Sequence, residues 1–334
     1  MPHRNVEEAC RVIIRHFPEF PHGPSLPGGK GPIQLTRMPC LKIDKEKGRI
    51  SFELGGRESE LIEFYDRYLS DDLDYFDVSP EHYDTLYKLA EIYNEKPWPE
   101  LEYIHFESIG PYTWGFSLKD ESGIPAFYND TLRDVIVKHL SMMTRCRQRK
   151  INQLFPGVPT MLNFAEPGLG IYNSAVGTGS WDVINNAINE VIEGVEGIIG
   201  IHCCDNFDWS LLMKTNLDFI NFDAYHYGNT MSLYIDELAR FLKRGGMISW
   251  GIVPTTGTTT GVADIENENP GSLVERLEQV LQLVIDGGID KETLFEASWI
   301  TPTCSTQSMS PELAKRVFVF TKEVSQRMRE KYYS

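Results

Sequence analysis

Three side chains in this chain have the types and spacing to share a soft metal ion: His202, Cys204 and, far downstream, Cys304. The first two lie in the run from Ile198 to Asp208, whose apolar start reads as a β-strand. On a strand, residues two apart face the same side, so His202 and Cys204 look into one cavity and Cys203 looks away. A second strand-like run, FINFDAY from Phe219 to Tyr225, offers Asp223 near its end, and LFEASWITPTC from Leu294 ends in the other thiol, Cys304. One imidazole, two thiolates and a carboxylate at the ends of three strands suit Zn²⁺, which favours tetrahedral N/S ligation with one exchangeable position in catalytic sites. Packing is the competing reading, because cysteine is among the most buried residue types and behaves as a small apolar side chain.

The elements that must position these groups alternate. After an amphipathic helix at the start of the chain, FPEFPHGPSLPGGK (Phe17 to Lys30) is too rich in proline and glycine for long regular structure; it has room for a short strand near Phe20 to Leu26 and a loop passing over a site. Residues 33 to 54 read as a β-hairpin appended to the main fold, turning at KEKG. From Ser59 onward helices alternate with strand candidates at Leu73 to Ser79, Tyr103 to Gly110, Pro159 to Phe164, Ile198 to Cys204, Phe219 to Tyr225, Gly246 to Val253 and Leu294 to Ile300. Helix starts are expected at Ser79-Pro80-Glu81, at the capping box Thr131-x-x-Asp134, at Ser180, at the capping box Ser272-x-x-Glu275 and at Ser310-Pro311-Glu312. With the strand near Phe20, eight strand candidates alternate with helices. The expectation is an α/β fold, a single (β/α)8 TIM-barrel domain over 1–334 with the hairpin 33–54 as an insertion. A doubly wound sheet is the runner-up; no GxGxxG or Walker-type loop follows any strand.

In such barrels chemistry gathers at the C-terminal ends of the strands. Glu107, Glu166, His202, Cys204, Asp223 and Cys304 all fall at or just past expected strand ends. Glu107, Ser108 and Glu166 are therefore candidates for holding the polar part of a substrate, with helix capping as their structural alternative. Tyr225, Tyr227 and Trp114 are candidates for stacking on a flat ligand, His226 is a spare ligand for the metal, and His22 lies in the proline-rich loop.

Composition sets limits. The 334 residues carry a formal net charge of -16, which disfavours nucleic acid and anionic membrane surfaces as partners. No run approaches the roughly 20 apolar residues of a membrane span. The six cysteines are irregularly spaced, and no secretory leader is evident, so a reducing cytoplasm is the expected setting.

HCC at His202 to Cys204, INFD at Ile220 to Asp223 and ITPTCSTQ at Ile300 to Gln307 resemble the zinc-ligand segments in the catalytic domain of cobalamin-independent methionine synthase. LNFAEPGLG, Leu162 to Gly170, is similar to that family's strand ending in an Asp-Glu-Pro turn, and the likeness runs over roughly residues 100 to 330. The wider superfamily includes zinc methyltransferases that act with corrinoid proteins and the metal-free uroporphyrinogen decarboxylase. The resemblance implies a zinc-dependent methyltransferase with His202, Cys204 and Cys304 as permanent ligands, Asp223 exchangeable or beside the metal, and Glu166 near the reacting groups. It also implies a small thiol as acceptor and methyl-folate or a methylcorrinoid protein as donor. Two departures stand out: the family's glutamate ligand is Asp223, one methylene shorter, and the aspartate of the turn is Ala165. The alternatives are a metal-free lyase of the decarboxylase type and a non-catalytic barrel that binds a corrinoid protein. The lyase would need arginines near the first strand, and Phe17 to Pro27 contains none.

Overall fold

Short runs of four to seven residues form the strands of this computed structural model, which describes residues 1–27, 35–44, 49–172, 179–255 and 264–332. β1 (Leu41–Asp44) and β2 (Arg49–Phe52) pair antiparallel, as expected of the hairpin; its KEKG turn lies outside the described residues. β3 (Ile104–Ile109), β4 (Thr160–Ala165), β5 (Ile198–Cys203), β6 (Phe219–Phe222), β7 (Met247–Val253) and β8 (Ser298–Pro302) form one six-stranded parallel sheet in chain order. Helices intervene between consecutive strands, the long ones being Asp130–Leu154, Trp181–Ile192, Ile235–Lys243 and Pro270–Asp286, with Pro311–Tyr332 after the last strand.

One face of the sheet is apolar. Ile104, Phe106, Leu162, Phe164, Ile201, Cys203, Ile220, Phe222, Ile248 and Trp250 are all within 2% of complete burial and form part of the main core. The alternate residues face the other way, and among them are His105, Glu107, Asn163, His202, Asn221 and Ser249. A floor of rings supports this polar face: Phe20 stacks on Tyr103 at 5.9 Å and lies 5.8 Å from Trp299, which lies 5.3 Å from Phe219. Gly200 is a glycine because a Cβ there would overlap the Phe219 ring.

Six strands, not eight, make the sheet, and among the described residues no strand pairing closes it into a barrel. The two missing strands have separate causes. Near Phe20, prolines at 18, 21 and 24 remove the N–H donors a ladder needs. The segment instead accepts from its neighbour, Tyr103 N to Glu19 O at 3.1 Å and His105 N to Pro21 O at 3.0 Å, and forms a single parallel bridge, His22 to His105. Through Phe20 it spans from β3 to β8. Leu73 to Ser79 is no strand either: Leu73–Phe76 is a helical turn whose cap, Asp72, accepts from Tyr75 N at 3.1 Å. That turn drives Phe76 between Phe64 at 5.6 Å and His139 at 6.0 Å in a satellite core with Val135, Met142 and Cys146.

Two capping residues also differ. Asn129, not Thr131, caps the helix Asp130–Leu154 by accepting from Leu132 N at 3.1 Å, and Asp134 is engaged by Tyr65 and Lys138. The box at Pro270–Asp286 is closed by Asn269 and Ser272, with the serine in the third helical position. Leu294 to Glu296, expected within the last strand, belong to the helix Lys291–Glu296.

Truncating Phe76 tests the satellite core. Phe76→Ala should cost about 3–5 kcal/mol of unfolding free energy in urea melts, the usual range for emptying a buried phenyl site. A loss below about 1 kcal/mol would mean that the turn Leu73–Phe76 is not packed against the helix Asp130–Leu154.

Candidate metal centre

The ends of β5 and β8 bring together the donors that stand 100 residues apart in sequence. The Nε2 or Nδ1 of His202 and the Sγ atoms of Cys204 and Cys304 all lie within 4.8 Å of one another, and among the described residues this is the only such group of three. His202 sits on β5 and Cys204 directly follows it, facing the same way, while Cys203 turns into the core with no exposed surface. Cys304 follows Thr303, whose N–H donates to Val253 O at 2.9 Å and whose hydroxyl is 3.1 Å from that of Thr255. The segment after β8 is thus tied to the end of β7, and Cys304 leaves from a fixed point.

His202 is oriented from behind. Its Nδ1 is hydrogen-bonded to Asn221 Oδ1, and the Asn221 amide is itself pinned by donating to Ser249 Oγ at 2.7 Å and Thr301 Oγ1 at 2.8 Å. With both N–H bonds of that amide committed, its oxygen accepts, so Nδ1 carries a proton. The other ring nitrogen, Nε2, is buried without a hydrogen-bond partner of oxygen or nitrogen. A buried, outward-aimed imidazole lone pair with a fixed tautomer is what metal-ligating histidines present.

The sulfurs polarise each other. The hydrogen bond with Cys204 and that with His202 lower the Cys304 pKa against the opposing effect of burial. The Cys204 pKa is raised, by its hydrogen bond to Cys304 and then by burial. Burial opposes a charged His202, but the Cys304 sulfur and Asn221 outweigh it and raise the imidazole pKa. Negative charge therefore concentrates on Cys304. These three donors fit a soft divalent cation: two sulfurs and an imidazole nitrogen, with Cys204 buried, His202 and Cys304 half-buried, and the imidazole held by its own partner.

Asp223 lies outside that group of three. Fully buried, it caps the turn Ala224–Tyr227, accepting from His226 N at 3.0 Å, and its other oxygen meets His226 Nδ1 at 2.7 Å. Burial raises its pKa, against the pull of His226. The expected spare ligand, His226, is thus engaged with the carboxylate.

Glu166 is fully buried and caps the helix Pro111–Ser117 from another strand, accepting from Tyr112 N at 2.9 Å, Thr113 N at 2.7 Å and the Thr113 hydroxyl. Gly110 makes the space, since a Cβ there would overlap the Glu166 carboxyl. Burial pushes the Glu166 pKa from 4.5 up to about 7 against those hydrogen bonds. Glu107 faces the same side of the sheet as His202, whereas Ser108, one residue on, takes the opposite phase and its hydroxyl reaches only Ile109 O at 3.4 Å. Tyr225 donates to Glu268 at 2.8 Å with Arg276 over its ring, and Tyr227 reaches Asp205 at 3.3 Å. Trp114 is buried in the core, and His22 stands against His105. The residue that sequence reasoning missed is Asn221; its signal was its place two residues before Asp223, hence on the same face.

Solved structures resemble this fold. A B12-independent methionine synthase from Shewanella sp. W3-18-1, in complex with selenomethionine, superposes with a TM-score of 0.50 at 15% identity over 69% of this chain and 63% of that one. A Listeria monocytogenes protein assigned as a vitamin-B12 independent methionine synthase superposes with a TM-score of 0.54 at 11% identity over 98% of this chain and 86% of that one. The match thus spans less than two thirds of the Shewanella enzyme's length. At these identities the likeness establishes the fold. No family model and no curated protein sequence matches the chain.

Two measurements follow. Asn221→Leu should weaken zinc binding about 10- to 100-fold in competition with a chromophoric chelator, as loss of an imidazole's supporting partner does; unchanged affinity would remove Asn221 from the site. For Glu166, a raised acid pKa means that the folded chain binds the proton more tightly than the unfolded one. The stability this provides is complete below pH 4.5 and lost as the pH rises through about 7. The stability gap between wild type and Glu166→Gln should therefore shift by about 3 kcal/mol between pH 4.5 and 7.5 in urea titrations, and a gap independent of pH would refute the assignment.

Proposed function

We propose that this chain is a zinc-dependent thiol methyltransferase, with His202, Cys204 and Cys304 holding the metal. The observation that carries the reading is the convergence of three soft donors, one an imidazole oriented through its other nitrogen by Asn221, on a fold shared with B12-independent methionine synthases.

Zn²⁺ bound there supplies Lewis acidity that takes a thiol as its nucleophilic thiolate near neutral pH. A free thiol with a pKa near 8.5 is mostly protonated under those conditions. The chain's own groups set how much charge that sulfur keeps. Two cysteine thiolates and a neutral imidazole balance a divalent cation, so an added thiolate is not drained of electron density. Asn221 fixes the His202 tautomer that leaves Nε2 free to ligate. His226 holds Asp223 by two hydrogen bonds, so Asp223 stays apart from the three donors that would hold the metal and would leave room beside it for the acceptor sulfur. Glu166 spends both carboxyl oxygens on a helix start, and its place in this reading is to fix the segment Pro111–Ser117 beside the strand ends. The acceptor is a small thiol and the donor methyl-folate or a methylcorrinoid protein. No described helix is long and apolar enough to cross a membrane.

Metal analysis tests the reading. The purified chain should hold about one zinc, and Cys204→Ser or Cys304→Ser should abolish stoichiometric binding while the far-ultraviolet spectrum is kept. Cobalt in place of zinc should give sulfur-to-metal charge-transfer bands that shift when a thiol is added. A native chain without metal, and a cobalt spectrum without thiolate bands, would sink the proposal.

A further inference from the structure

The hairpin outside the main sheet has two edges, and only one is covered. On the β2 side, Ser51 bridges to Lys119, whose carbonyl accepts from Phe52 N at 2.8 Å. On the β1 side, no strand or bridge lies against Leu41–Asp44 among the described residues. Backbone groups in an antiparallel pair turn alternately toward the partner strand and away from it. Glu53 N donates across the hairpin to Cys40 O at 2.9 Å, so Lys42 and Asp44 continue the inward set, while Leu41 and Ile43 turn their groups outward. The bond from Phe52 to Lys119 fixes the same phase, since Phe52 is the cross-strand mate of Leu41. The outward N–H and C=O of Ile43 make no hydrogen bond among the described residues.

An open edge accepts any strand unless its side chains discriminate. Ile43 shares a face with Leu41, Ile50 and Phe52, which reach the main core, but is itself 56% exposed. Lys42 and Asp44 share the other face, where Lys42 meets Glu53 at 2.9 Å and stays exposed. A second copy laid antiparallel, with Ile43 opposite Ile43, sets each Lys42 across from an Asp44. The two isoleucines then exchange both N–H···O bonds, and the charged pairs take the non-hydrogen-bonded positions, where facing side chains come closest. Centring the pair on Lys42, or laying the copy parallel in register, sets lysine against lysine. The order of charges around Ile43 therefore matches this edge to itself, in one orientation and one register.

We propose that β1 is a self-association edge: two copies of this chain pair through Leu41–Asp44 about a twofold axis at Ile43, joining their hairpins into one four-stranded antiparallel sheet. The contact is isologous, so it closes at two copies. A strand pairing this short buries less than the roughly 1,200 Å² of a stable interface, so the association is weak and reversible. The formal net charge of -16 opposes it at low salt; physiological ionic strength screens charges beyond about 8 Å and leaves the facing pairs intact.

Sedimentation equilibrium of the full chain at physiological ionic strength, between about 1 and 500 µM, reads the association. The mass should rise from monomer toward dimer, and a monomer throughout overturns the proposal. Ile43→Pro removes only an outward N–H and leaves the ladder with β2 in place. It should raise the dimer Kd about tenfold or more, through the two hydrogen bonds lost, with the thermal melt kept. A dimer that survives this change at full strength does not use β1, which also overturns the proposal. Lys42→Glu and Asp44→Lys chains should each be monomeric alone, because like charges then face each other. Mixed, they should form a heterodimer at least as tight as wild type, because every charge then faces its opposite. The mixing experiment decides the matter if Ile43→Pro does not fold, and no gain on mixing overturns the register and the proposal with it.

Discussion

A two-residue alternation, locked by a single parallel register, governs everything at the centre of this molecule. Pairing places Ala165, His202, Asn221 and Ser249 in one row from β4 to β7, so the imidazole and the amide that orients it are direct cross-strand neighbours. A slip of one residue in β5 would send His202 into the apolar layer and bring Cys203 inward. The opposite face makes such a slip expensive, because Ile201 and Cys203 there are fully buried against the helices. The bland apolar packing on one side thus holds the reactive geometry on the other.

The polar face is costly to assemble. Buried groups such as Asn221, Ser249 and Asp223 must replace their lost water, and they do so with one another or with nearby N–H groups. The aromatic floor of Phe20, Tyr103, Phe219 and Trp299 closes one end of this layer with apolar surface. That division leaves the strand ends, where Cys204 and Cys304 lie, as the place where a ligand meets the chain. His202, which meets the two sulfurs, and Asn163, whose Oδ1 has no hydrogen-bond partner among the described residues, both belong to this face.

Much of this was legible in the sequence because strands buried on one side are short apolar runs with clear borders. The H-x-C spacing placed His202 and Cys204 on one face and Cys203 on the other. The apolar run through Trp299 and Ile300 delivered Cys304, although its strand begins only at Ser298. What failed has local causes. LDYFDVS alternates like a strand, but Asp72 is a helix cap and Phe76 has an aromatic pocket to fill, and neither fact is visible without its partners Phe64 and His139. Proline limited the segment near Phe20 to one bridge, which a residue count could not distinguish from a strand. The support for His202 was hidden for another reason: Asn221, Ser249 and Thr301 come from three strands and become a network only through the register. Arg147 belongs to the same hidden layer: from a basic stretch of the helix Asp130–Leu154 it donates to the backbone oxygen of Glu107.

The fit of Glu166 against Gly110 links two positions whose fates cannot be separated. One supplies a carboxyl and the other the hole it fills, with the helix start at Tyr112 and Thr113 receiving both oxygens. A lineage that acquired any side chain at 110 would first have to shorten or lose the acid at 166, and the donors of that helix would then need a new acceptor. Drift at either site is therefore gated by the other, and descendants of this chain should keep the pair or exchange it whole.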